Sequence, residues 1–174
     1  MPSSEHIVTG FDRDLEGIQA QIMRMGGLVE EAIAKATEAL ETRDAELARS
    51  VRSADVAIDR LEEQVNNEAA RIIAQRQPIA SDLRTVLTVF RVSTNLERIG
   101  DYAKNIAKRT ETIIDQPPVN GTGASLRRMA RQVELMLKDA LDAYIQRDAD
   151  LAADVRARDR DVDQMYSALF REYL

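Results

Sequence analysis

Carboxylates recur four residues apart at three places in this chain: Asp55 with Asp59, Glu97 with Asp101, and Asp159 with Asp163. On a helix each pair lies one turn apart on one face, near enough to share a cation through oxygen ligands. Like charges at that spacing repel by roughly 0.2–0.5 kcal/mol on an exposed helix, so a positive partner is worth seeking. Oxygen-only ligands suit a hard or borderline ion such as Mg, Ca, Mn or Fe. The plainer reading is a solvated surface. Charged residues make up 31% of the chain, and Arg52, Arg60, Arg98 and Arg156 stand near enough in sequence to act as counter-ions.

Repetition favours use of the pairs. The stretch from Arg43 to Asp59 returns without a gap as Arg147 to Asp163, and both carboxylates persist although Val56 and Ala57 become Arg160 and Asp161. The register extends backwards, matching Met25 with Met129, Val29 with Val133, Ile33 with Leu137, Ala36 with Ala140 and Ala39 with Ala143. The chain is a duplicated module. The segment from Ser81 to Arg109 has no second copy.

The elements that carry these residues read as helices. Leu15, Ile18, Ile22, Met25, Val29, Ile33, Ala36 and Leu40 advance in steps of three and four, predicting a first helix over about Asp12 to Glu41. Gly26-Gly27 in its middle marks a bend or, preferably, a close crossing with a neighbour. Asp44 is placed to cap a second helix, which should stop near Gln77 ahead of Pro78. Ser81 is expected to cap a third helix whose buried side carries Leu83, Val86, Leu87, Phe90, Thr94, Leu96, Ile99, Ala103, Ile106 and Ile113. After the break at Asp115 to Gly123, a fourth helix (about 125–146) and a fifth (about 149–174) mirror the first and second. The expected fold is all-α: duplicated three-helix-bundle modules, the second cut short so that about five helices are present. The first module covers 1–116, the linker 117–123 and the incomplete second module 124–174. Its two helices should expose an apolar face where a third would lie. That points to a shortened chain, or to a gap filled by another molecule or a swapped element.

Composition narrows the function. At 174 residues the chain can bury a core. It is 44% hydrophobic but 4% aromatic, so aliphatic residues must do the packing, as in helix bundles. A net charge of -6 argues against nucleic-acid binding. With no cysteine, disulfides, thiolate metal sites and a Cys nucleophile are excluded. The N-terminus has no secretory pattern and no run is long enough to span a bilayer, so a soluble cytoplasmic protein is expected.

Other constellations are thin. His6, in a polar tail, is the only histidine, which leaves a Ser-His-Asp triad and a His-rich metal site without material. Lys104, Lys108 and Arg109 crowd the end of the third helix and read as complements to its dipole. No catalytic residues are assigned.

The stretch Leu96-Glu97-Arg98-Ile99-Gly100-Asp101-Tyr102-Ala103-Lys104-Asn105-Ile106-Ala107-Lys108-Arg109 resembles the signature helix of the PhoU family of phosphate-transport regulatory proteins. Pro78 to Arg84, Ala54 to Glu62 and the opening Phe11 to Leu15 are similar to that family in order and spacing. The resemblance implies paired three-helix bundles and a cytoplasmic, non-enzymatic adaptor. It would connect the ATPase subunit of a phosphate ABC transporter to a sensor histidine kinase and repress the phosphate regulon. It also implies a homodimer, peripheral membrane association through partners, and no organic cofactor. Divalent or trivalent metal (Fe, Mn, Mg or Zn) would sit at Glu97, Asp101, Asp55 and Asp59, and at Asp159 and Asp163 in the second module, with Asn105 one turn beyond the motif. A sixth helix with a second motif, typical of the family, is missing here. The reading from a different class is a metal-dependent hydrolase or oxidase using the same carboxylates, disfavoured because the pairs are expected on helix surfaces and no histidine is at hand as a base.

Overall fold

The computed structural model describes residues 4–117 and 121–173, and the expected linker residues Pro118, Val119 and Asn120 lie outside them. Five helices follow one another: α1 (Ser4–Thr42), α2 (Ala45–Arg76), α3 (Ala80–Ile113), α4 (Thr122–Gln146) and α5 (Ala149–Tyr173). The fold is all-α, and no strand occurs among the described residues. α1 starts before the expected Asp12, so the segment around His6, expected as a tail, is helical.

α1, α2 and α3 pack on one another in all three pairings, α4 packs on α1, and among the described residues α5 packs on α4 alone. The expected apolar faces supply most of the core: Ile18, Ile22, Met25 and Val29 from α1, Ile58, Val65 and Ile72 from α2, and Val86 and Leu96 from α3. Leu137 and Leu141 of α4 join it. On α3 the buried side is turned from the one expected: Val89 is buried, whereas Leu87, Thr94 and Ile106 are exposed. The glycine pair proves to be a crossing. A Cβ at Gly26 would collide with Leu141 Cδ1, whereas Gly27 faces open space. Gly26 thus lets Leu141 of α4 pack against α1.

The two corners are copies in three dimensions. Arg43 and Arg147 both adopt left-handed backbone, φ 58° and 56°. Asp44 N–H donates to the Ala39 carbonyl at 3.0 Å, and Asp148 N–H to that of Ala143 at 2.9 Å. Asp44 Oδ1 accepts from the amides of Glu46 and Leu47, and Asp148 Oδ1 from those of Asp150 and Leu151. Each carboxylate satisfies two of the free N–H groups at a helix start. α2 ends at Arg76 with Gln77 left-handed ahead of Pro78. The expected cap at Ser81 is not found. Ile79, extended at φ -122°, holds that position without a side-chain bond, because α3 begins earlier, at Ala80, and Ser81 lies within its first turn.

Candidate functional site

Polar partners lace α2 to α3 along their length: Arg52 with Glu111 at 2.8 Å, Lys104 with Asp55, Thr94 with Glu62 at 2.9 Å, and Ser93 with Asn66 at 2.9 Å. As residue numbers rise on α2 they fall on α3, so the helices run antiparallel. At Gly100 the two helices come into close contact. A Cβ there would lie 3.0 Å from Ile58 Cδ1 and 3.6 Å from Asp55 Oδ1. A side chain there would require Ile58 to give by a few tenths of an ångström. With glycine, α3 covers Asp55, which is 4% exposed and is the one buried ionisable side chain among the described residues.

A buried carboxylate needs a charge partner. Lys104 supplies it. One turn past Gly100, its ammonium meets Asp55 Oδ2 and lies 3.3 Å from Asp101 Oδ1. The bond to Asp55 is the main reason the Lys104 pKa is raised, against the opposing pull of burial. Asp55 Oδ2 has no partner of good hydrogen-bond geometry, so the contact is ionic in character.

The other carboxylates are less well compensated. Glu97 is raised above the usual carboxylate range, first by burial and then by Asp101, Glu62 and Asp59. Asp59 is raised too, by burial and by Asp55, with Lys104 pulling the other way. Asp55, Asp59 and Glu62 of α2 and Glu97 and Asp101 of α3 thus share one electrostatic environment, in which Lys104 is the cation.

This corrects three expectations. The counter-ion is Lys104 rather than Arg52, Arg60 or Arg98, and Arg52 is committed to Glu111. The Asp55 carboxylate is buried rather than on a helix surface. Lys104 does not serve the α3 dipole, because α3 continues to Ile113 and its last turn holds no basic residue. Asp159 and Asp163 are both exposed on α5, which touches only α4, and the structure does not bring them to the first cluster. Asn105 is exposed on α3. Sequence reasoning missed Glu62 and the role of Lys104. The available signal was Lys104 standing three residues after Asp101.

Whether the cluster fits a metal ion turns on Lys104. Among the described residues no three metal-ligating side chains converge well enough to hold an ion, and the ammonium fills the space between Asp55 and Asp101. As arranged, the residues do not fit a metal.

Comparison with known proteins places the whole chain. The PhoU domain matches residues 22–110 and 126–174. The chain is 40% identical over 171 residues to a phosphate-specific transport system accessory protein PhoU homolog of Caulobacter vibrioides strain NA1000 / CB15N, covering 98% of this chain and 74% of that protein. A Pseudomonas aeruginosa protein of the same name is 37% identical, covering 97% and 70%. The crystal structure of PhoU from Pseudomonas aeruginosa superposes with a TM-score of 0.88 at 38% identity, over 93% of this chain and 78% of that one. The phosphate transport system regulatory protein PhoU from Streptococcus pneumoniae gives 0.86 at 31% identity, over 93% and 76%. The duplicated helical repeat and likeness over nearly the whole of this chain agree, and the chain belongs to the PhoU family.

Proposed function

We propose that this protein regulates phosphate uptake as a non-enzymatic adaptor in the cytoplasm. It would bind the ATPase subunit of a phosphate ABC transporter and a sensor histidine kinase, holding the phosphate-starvation response down when phosphate is plentiful. The observation that carries this reading is likeness over nearly the whole chain to proteins named as phosphate-transport accessories. The architecture supports it. Helices of 25 to 39 residues present long outer faces to partners, and the charged cluster is occupied by an internal ion pair rather than arranged around a reacting group. No helix among the described residues is long and apolar enough to cross a membrane, so membrane association would come through the transporter. A homodimer is part of the proposal.

The test is capture of the kinase's cytoplasmic region and of the ATPase subunit by the purified full chain, read against an unrelated helical bundle. Selective retention of either protein supports the adaptor role. Failure to retain both, with and without added divalent metal, overturns it.

A further inference from the structure

The outer face of α3 carries a line of arginines that the fold does not use. Arg84, Arg91 and Arg98 follow at seven-residue intervals and Arg109 eleven residues later. At ~100° per residue all four fall within about 40° around the helix axis, on a stripe roughly 37 Å long. All are exposed, and none makes an ion pair among the described residues. Tyr102, 59% exposed, lies on the same line. α3 touches only α1 and α2, so this side is uncovered among the described residues.

Some surface cations here pair with an acid a turn away, as Lys35 does with Glu31 and Arg71 with Glu68. Arg84, Arg91 and Arg109 have no Asp or Glu three or four residues to either side. Arg98 has Asp101, but that carboxylate lies 3.3 Å from Lys104. The acids of α3, namely Asp82, Glu97, Asp101 and Glu111, all fall outside the stripe, and Glu111 is held by Arg52. In a chain of net charge -6 this is a segregated basic face.

We infer that this face docks an acidic α-helix of a partner protein, with carboxylates at seven-residue spacing meeting Arg84, Arg91 and Arg98. Seven residues rise ~10.5 Å on any α-helix, so a partner helix with a heptad pattern stays in register with the arginines. The guanidinium fork suits carboxylates in two-point contact, which a lysine cannot copy. A lipid surface fits less well. Thr88 and Asn95 stand between the arginines, and the exposed apolar side chains beside them, Leu87, Tyr102 and Ile106, are scattered along the helix rather than gathered into one face that could insert. The inference goes beyond the adaptor reading and stands whether or not the kinase and the ATPase are the partners.

The test uses the full chain and two labelled four-heptad helical peptides of identical composition. One carries glutamate at every seventh position, and the other spaces its glutamates every five residues so that they spiral around the helix. The heptad peptide should bind about tenfold more tightly than its isomer at ~0.1 M salt. Arg91→Glu with Arg98→Glu should remove that preference with helix content unchanged, and Arg91→Gln with Arg98→Gln provides a milder variant. A heptad peptide bearing lysine for glutamate should then prefer the charge-reversed chain. Equal binding of the two isomers, or a preference that survives both double variants, overturns the inference. So does capture by phosphatidylserine vesicles without discrimination between the peptides, which would make the stripe a membrane contact.

Discussion

Val51 and Val155 hold the same place in the two repeats, yet Val51 is 2% exposed and Val155 only partly buried. The same holds elsewhere. Ala48 is buried and Ala152 exposed, Ile58 is buried and Val162 partly covered, and Asp55 is sealed while Asp159 faces solvent. The corners that start α2 and α5 are alike in cap, in left-handed arginine and in hydrogen bonds. What differs is α3, which lies on α1 and α2, while α5 contacts α4 alone. Sequence pattern decides which side of a helix could be buried; a third helix decides whether it is. The second repeat instead joins its helices with a partly buried ion pair. Arg158 meets Asp139 at 2.5 Å, at positions occupied by Ala54 and Lys35 in the first.

The sharpest way to break that comparison is to truncate the matched position of both repeats, Ile58 in the first and Val162 in the second. Ile58→Ala should cost ~2–5 kcal/mol, because Ile58 is enclosed by α3 and the cavity could not collapse. Val162→Ala should cost less than ~1 kcal/mol, since water already reaches that site. Urea unfolding of each variant measures both. Equal costs would mean that α5 is packed as tightly as α2 and would remove the contrast.

Local periodicity made the helices legible. Apolar steps of three and four place α1 to α5, Pro78 ends α2, and Asp44 caps it as expected. Gly26 announced a crossing, although nothing in its own helix could say that Leu141 would be the neighbour. The acidic pairs were visible as pairs, but their fates were not. Burial of Asp55 depends on α3, which passes over it at Gly100, 45 residues away in sequence. Lys104 belongs to Asp55 only through that crossing, so reading along one helix could assign it only to the dipole of α3. Long-range pairing is what short-range spacing leaves out.

The next largest effect is expected at that pair. Lys104→Met leaves Asp55 buried without its cation and should cost ~1–3 kcal/mol, below the full penalty for a buried pair because the lysine side chain is 40% exposed. The folded-state pKa of Lys104 is raised, so its contribution is fully present below the unfolded lysine value and is lost as pH rises through the folded one. The parent should therefore lose more stability than the variant in alkaline solution. Removing the ammonium also frees the space between Asp55 and Asp101, so the variant should bind Mn2+ more tightly than the parent in a calorimetric titration. Asp159→Ala, in the second repeat, should change neither stability nor Mn2+ uptake measurably. Loss of Mn2+ affinity on Lys104→Met would show that the lysine does not compete with a metal.

The caps sharpen the comparison from the other side, because they are where the repeats agree. Asp44→Ala and Asp148→Ala each remove one acceptor from two backbone N–H groups. Each should cost ~1 kcal/mol. A much smaller cost at Asp148, read from the same unfolding curves, would mean that α5 frays independently of the rest of the chain.

The smallest effect tests the electrostatics of the cluster. Glu97 has a raised pKa from burial and from Asp101, Glu62 and Asp59, so the folded state holds its proton more tightly than the unfolded state does. The sign follows from linkage. Ionised Glu97 costs stability at neutral pH, and the cost fades as pH falls through the carboxylate range and the group protonates. Glu97→Gln should therefore stabilise the protein at pH 7 by roughly 0.2–0.5 kcal/mol, with the gain shrinking towards zero in acid. Asp163→Asn should give no such gain, because α5 has no opposing helix like α3 to bring further carboxylates beside it. A thermal melt of both variants at pH 7 and in acid separates the two cases. If Glu97→Gln destabilised the protein at pH 7, its carboxylate would be held by a cation that offsets its acidic neighbours, and the charge excess at the α2–α3 crossing would already be neutralised.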